Sequence, residues 1–271
     1  MLSSDRYSFL WLQYELCENS PTIAVEEQFV MTSGFLEGVH VAESVWSAHP
    51  DYVALVMTVH GIQGGESDTQ SDAMLVRAEA QATKWLSVAP IEEMSEVRKW
   101  REKFLSFGVK HKTAKSSVEA LLKRSGKGLP RVDRLTDLYN AISVLHQVPI
   151  GGEDLDTYQG SAQLVVATGT EEFATRENGE VVNLSPAPGE IIWRDDSGVT
   201  CRRWNWRQCV RTQLNTQTRN AVFIFDGIGA DAQLRVTGAA RELADTIENW
   251  WPGIRIEERI LSLPHTPETP L

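Results

Sequence analysis

Tyr52–His60 is a nine-residue apolar, β-branched run closed by Gly61, the pattern of a buried strand. After the loop Gly64–Asp68, apolar positions recur at helical spacing over Asp72–Leu86, with Ala73, Val76, Ala80 and Thr83 on one face. A second helix is expected over Ile91–Phe107, stopped by Gly108. Ser116 and Glu119 have capping-box spacing and open a short helix that runs to Arg124 and ends at Gly126. Asp133–His146 reads as a further helix, with Leu135, Leu138, Ile142 and Leu145 on one face and Pro149 beyond its end. Gln163–Ala167, Glu190–Trp193 and Ala221–Asp226 read as strands between Gly/Asp/Asn turns. Thr237–Trp251 reads as the last helix and Ile254–Ile260 as the last strand. Residues 1–20 are amphipathic, Phe29–Val45 is ambiguous apart from turn signals at Gly34 and Gly38, and the proline-rich tail from Pro264 is expected to fray. A strand followed by helices is an α/β start.

The joint Gly126–Pro130 divides this pattern into an N-terminal α/β portion (1–128), a core (129–263) and a tail (264–271). With 271 residues, 42% hydrophobic and 23% charged, the chain has material for a sizeable core. No apolar run reaches the ~20 residues of a membrane span, and no secretion signal is evident at Met1–Tyr7. Three cysteines (Cys17, Cys201, Cys209), odd in number and without CxxC spacing, suit free thiols in the cytoplasm. The six histidines are scattered, so neither a metal site nor a cofactor is expected.

The net charge of −11 argues against general nucleic-acid coating and against DNA. Between Arg98 and Arg134, however, twelve Lys/Arg face three acids. Such a stripe on an acidic body is either a solvated helical face or a local dock for a polyanion.

Two stretches carry candidate chemistry. Cys201–Thr212 combines Trp204 and Trp206 with Arg202, Arg203, Arg207 and Arg211, plus Asn205 and Gln208. Buried indole and guanidinium groups both need partners, so this is either a pocket wall or an amphipathic edge strand. Pro149–Asp156 is expected to be a glycine turn, in which Gly151 and Gly152 amides can steady an oxyanion beside Glu153, Asp154 and Asp156. The alternative is an ordinary turn with solvated acids. No GxSxG, P-loop or GxGxxG frame is present.

Leu129-Pro130-Arg131, Asp137–Ser143, Pro149–Asp156, Pro188-Gly189-Glu190 and Cys201–Thr212 with Thr218 together resemble the B3/4 domain, the editing domain of the phenylalanyl-tRNA synthetase β subunit. The resemblance is closer to its free-standing bacterial relatives, whose upstream segment is matched by Phe104–Arg124. It implies a mixed α/β fold that binds the charged 3′ end of tRNA. For the free-standing relatives it implies trans-editing deacylation, among them removal of canavanine from tRNA(Arg). Where the synthetase domain reads Pro-Leu-His-Ala-Phe-Asp, this chain reads Pro149-Ile150-Gly151-Gly152-Glu153-Asp154, so the functional histidine falls on Gly151. Its Gly-Ile-Met-Gly-Gly segment is replaced by Trp204–Gln208, whereas Asn140 and Thr218 match.

Carboxylates beside indoles suit a cationic side chain. The expected roles are therefore water placement by Glu153 or Asp154, oxyanion stabilisation by Gly151 and Gly152, and substrate contacts from Asn140, Asp156, Trp204, Asn205, Trp206 and Gln208. Arg203, Arg207 and Arg211 are expected at terminal phosphates, and Lys110, Lys112 and Lys115 at the acceptor stem. The competing readings are a non-catalytic module that binds an amino acid or tRNA end, and a small-molecule ester or amide hydrolase.

Overall fold

A computed structural model describes residues 34–263. The expectations for residues 1–20, Cys17 and the tail from Pro264 fall outside the described residues. In chain order the elements are β1 (His40–Val41), α1 (Glu43–Ala48), β2 (Tyr52–His60), α2 (Thr69–Leu86), α3 (Ser95–Ser106), α4 (Ser117–Ser125), α5 (Arg134–His146), β3 (Ile150–Asp154), β4 (Gln163–Val166), β5 (Phe173–Glu177), β6 (Glu180–Leu184), β7 (Ile191–Asp195), β8 (Gly198–Arg202), β9 (Arg207–Gln208), β10 (Asn220–Ile228), α6 (Ala232–Trp250) and β11 (Arg255–Ser262). The fold is mixed α+β.

The centre is an antiparallel sheet in the order β11-β2-β10-β3. Every residue of β2 and of β10 is buried, which explains why both read as unbroken apolar runs. β2, from before residue 128, lies between β10 and β11, both from after it. Strand alternation gives the sheet two faces. Leu55, Met57, Phe223 and Phe225 pack with Leu138 and Ile142 of α5 and with Val236 and Leu243 of α6. Tyr52, Val56, Val222 and Ile224 face the other way, into a core shared with Trp100, Trp193 and Trp204. A second sheet, β1-β4-β7-β8-β9, supplies Leu164, Ile191, Trp193 and Cys201 to that core. Among the described residues β5 and β6 form a two-stranded sheet of their own, a hairpin.

Helix starts follow their caps. Asp68 accepts from Gln70 N and Ser71 N and forms a capping box with Ser71, so α2 begins three residues before the expected Asp72. Ser116 caps α4 by accepting from Glu119 N, while the Glu119 carboxylate turns to Arg101 instead of back to the cap. The helix expected over Ile91–Phe107 is a 3-10 turn followed by α3, because Met94 between them is extended. α6 starts at Ala232, five residues before the expected Thr237, and carries Gly238 in its interior against the His146 ring. The expected Pro149–Asp156 turn is corrected: it is strand β3 and a following 3-10 turn, Leu155–Thr157. Five-residue pairing with β10 overrides the glycine signal.

Candidate active site

One cavity of about 330 Å³ is lined by β3 with β10, by β7 and the turn after β8, and by α4 and α5. β3 decides which of the acidic residues take part. Gly151 and Glu153 lie opposite Ile224 and Val222 and line the cavity face, whereas Gly152 and Asp154 lie opposite Phe223 and Ala221 on the helix face. Asp154 therefore does not join Glu153; it accepts from Thr218 Oγ1 at 2.7 Å and from Asp156 N. Asp156 is exposed and held by Asn220 Nδ2 at 2.8 and 3.0 Å. Both are structural carboxylates away from the cavity, a correction to the expected cluster of three acids.

The expected oxyanion role of the Gly151 amide also needs correction, and Gly152 is not among the residues that line the cavity. Pro149 O accepts from Asp226 N, so by antiparallel alternation the Gly151–Ile224 pair is hydrogen-bonded and the Gly151 N–H is spent on the ladder. Gly152 is glycine for space. A Cβ there would stand 2.8 Å from the Tyr139 ring and 2.9 Å from Leu214.

Glu153 is 2% exposed. Its Oε2 accepts from Tyr158 OH at 2.6 Å, and Gln208 Nε2 approaches Oε1 at 3.5 Å while donating to Gly152 O at 3.0 Å. Burial pushes the carboxyl above the usual range, against hydrogen bonds from Tyr158, Thr212 and Gln208 that hold it down. A second buried carboxylate, Asp226 on β10, completes the lining. Its Oδ1 accepts from Tyr52 OH at 2.5 Å and its Oδ2 from Asn205 Nδ2 at 3.2 Å. Burial raises it to about 7, despite those bonds and a weaker pull from the Trp193 indole, whose N–H lies outside hydrogen-bond geometry. Sequence reasoning passed over Asp226 because it ends a strand; the usable signal was a lone carboxylate inside an otherwise apolar β run. Cys201 also lines the cavity, but burial first, then Glu153 and Asp226, push its thiol well up, which disfavours the thiolate.

The turn after β8 is built on two left-handed non-glycine residues, Arg203 (φ 48°) and Trp204 (φ 66°). That conformation costs roughly 1–2 kcal/mol per residue. It is held by Arg203 N donating to Glu190 Oε1 and Trp204 N donating to Ile191 O at 2.7 Å. Glu190 in turn grips Arg202 through two 2.8 Å bonds, a buried pair. The geometry drives Trp204 inward among His49, Tyr52 and Trp100, with ring centroids 4.9, 4.9 and 5.5 Å away. Trp204 is thus a wholly buried cage member that offers the cavity an edge, not a free stacking plate. Trp206 carries the Arg203 and Arg207 guanidiniums at 4.2 and 4.4 Å from its ring centre. Asn205 spends its Nδ2 on Asp226, and its Oδ1 is buried with no partner among the described residues.

Asn140, Glu153, Trp204, Asn205, Trp206, Arg207 and Gln208 share the cavity with Gly151. Arg203 is mostly buried against Glu190 and Trp206. Arg211 is locked on Asp195 by bonds of 2.7 and 2.9 Å and on Thr157 O, so it braces the fold and is not available to phosphate. Lys110 and Lys112 border a separate surface hollow with Arg101, Leu105 and His111. Lys115 lines neither hollow; it leads into Ser116 and Ser117, whose N–H donates to Asn205 O and ties α4 to the site. Arg124 of α4, unremarked in the sequence, stands exposed on the cavity wall. Among the described residues no group of three or more His, Cys, Asp or Glu is arranged to hold a metal ion, and no helix is long and apolar enough to cross a membrane.

No match is found among curated proteins. Among solved structures the chain is similar to an N-terminal fragment of the phenylalanyl-tRNA synthetase β subunit from Pyrococcus horikoshii, at 13% identity and a TM-score of 0.45. That likeness covers 82% of this chain and 53% of the fragment, so the chain spans about half the fragment's length. The family model for the B3/4 domain matches residues 99–244, which takes in α4, the cavity strands β3 and β10 and the arginine–tryptophan turn, and the chain belongs to the B3/4 domain family.

Proposed function

We propose that the cavity receives the charged 3′ end of a mischarged tRNA and hydrolyses the aminoacyl ester in trans, and that the amino acid removed is cationic, canavanine on tRNA(Arg) being the expected case. The observation that carries this reading is the presence of two buried acidic side chains, Glu153 and Asp226, in the lining of one tryptophan-bearing hollow of about 330 Å³. A hollow of that size accommodates an amino-acid side chain, and an acid among indoles, Asp226, favours a guanidinium over a neutral group while Glu153 is left for the chemistry. Glu153 is the base: its raised pKa and fixed orientation suit removal of a proton from water. The water oxygen bonds to the acyl carbon, the acyl–O bond to the ribose breaks, and the proton held on Glu153 passes to the departing ribose oxygen. A neighbouring ribose hydroxyl assists. Asn140, which makes no side-chain hydrogen bond among the described residues, and Gln208 hold the ester or the α-amino group.

Glu153→Gln keeps the shape and removes the base. We expect deacylation to fall by about 10²-fold or more with tRNA affinity within a few-fold of wild type, measured by single-turnover release of amino acid from a panel of aminoacyl-tRNAs. Inactivity of the wild-type protein towards every cationic aminoacyl-tRNA overturns the substrate assignment. One observation favours a second reading, a non-catalytic sensor of the tRNA end: Glu153 is already clamped by Tyr158 and Gln208, and Gly151 stands where the synthetase has its histidine. Binding without release of any amino acid selects that reading.

A further inference from the structure

The cavity is graded in charge. Its buried part holds Glu153 and Asp226, with the unpartnered Asn205 Oδ1 beside them, all hydrogen-bond acceptors. Its wall also carries two arginines from different elements, Arg124 on α4 and Arg207 on β9. Arg124 is exposed and has no acidic partner among the described residues, although acids outnumber bases 37 to 26 in the chain. Among the described residues Arg207 has one acidic partner, the exposed Glu177 at 3.4 Å, and it rests on Trp206. An exposed pair of that kind contributes little and is exchanged readily for a better anion. Stability does not explain an unpaired guanidinium aimed at a cavity. Its place in the last turn of α4 accounts for only about 0.3–1 kcal/mol through the helix dipole.

Resting on the reading of the cavity as a site for a charged tRNA end, we propose that Arg124 and Arg207 clamp the 5′-phosphate of the terminal nucleotide, so that the unit recognised is an aminoacyl-nucleotide, cationic at the buried end and anionic at the mouth. Guanidinium groups suit this because each presents a fork of donors that fits two phosphate oxygens. The clamp also sets orientation, since a ligand entering reversed would bring phosphate against two carboxylates.

The test uses non-hydrolysable 3′-aminoacylamino-3′-deoxyadenosines with arginyl or phenylalanyl side chains, each with and without a 5′-phosphate, titrated against the full chain by calorimetry. The phosphorylated form is expected to bind about tenfold tighter, as two charge-assisted contacts at an exposed rim together supply. Arg124→Ala and Arg207→Ala should each shrink that ratio towards one, and Arg124→Lys should restore part of it. Equal affinity of the two forms for wild type overturns the clamp alone. A loss in Arg124→Ala that affects both forms equally overturns the role of Arg124. Failure of every analogue to bind overturns the underlying reading of the cavity.

Discussion

Asp226 shows how far burial sets the chemistry of one side chain here. Its folded-state pKa of about 7 lies above the unfolded value of 3.8, so between those values the native chain holds a proton that the unfolded chain has lost. Stability contributed at this residue is therefore fully present below about pH 4 and is lost as pH rises to about 7, by up to roughly 4 kcal/mol. Glu153, also raised, adds a slope of the same sign. Urea denaturation from pH 4 to 8 should show this decline, and Asp226→Asn should flatten much of it. An unchanged slope in that variant would place the titration on another group. The residue was visible in the sequence but not its importance, because only tertiary pairing turns a strand end towards Tyr52 and Asn205.

For the elements, legibility followed the strength of the repeating pattern. Tyr52–His60 matches β2 end to end, and the body of α5 was plain from its apolar face. The hairpin β5–β6 was missed, since its outer strand is mostly exposed and carries little hydrophobic signal. Cavity membership from the turn after β8 was legible in composition: indoles and guanidiniums together demanded partners, and Trp204, Asn205, Trp206, Arg207 and Gln208 do line one hollow. The error at Pro149–Asp156 came from reading two glycines as a bend, when one is there to admit a neighbouring ring. That difference is measurable. Gly152→Ala forces a methyl group onto Tyr139 and Leu214 and should cost about 1–3 kcal/mol, whereas Gly151→Ala meets only the Gln208 amide at 3.3 Å, a side chain able to shift. Thermal melts of the two variants should differ clearly; equal melting temperatures would contradict the stated role of Gly152.

In the whole molecule, the basic segment between Arg98 and Arg134 is partly consumed by the fold. Arg101 binds Glu119 and Glu92, Lys103 binds Asp51, and Arg131 binds Asp72 and Glu79. Lys110 and Lys112 stay outside such pairs among the described residues and flank the surface hollow. If they meet the acceptor stem, replacing both with Ala should reduce the slope of log affinity against log salt by about one to two while leaving the discrimination between amino acids intact. Filter binding of tRNA over a salt series measures it, and an unaltered slope removes the stem from that surface. The separation of these duties has a deeper root in the central sheet. Along β10, Phe223 and Phe225 serve the helical core while Ile224 and Asp226 serve the hollow. Alternate residues of one strand thus divide between packing the helices and shaping the hollow, so a change at Ile224 or Asp226 bears on what the hollow admits while the side chains turned to α5 and α6 stay untouched.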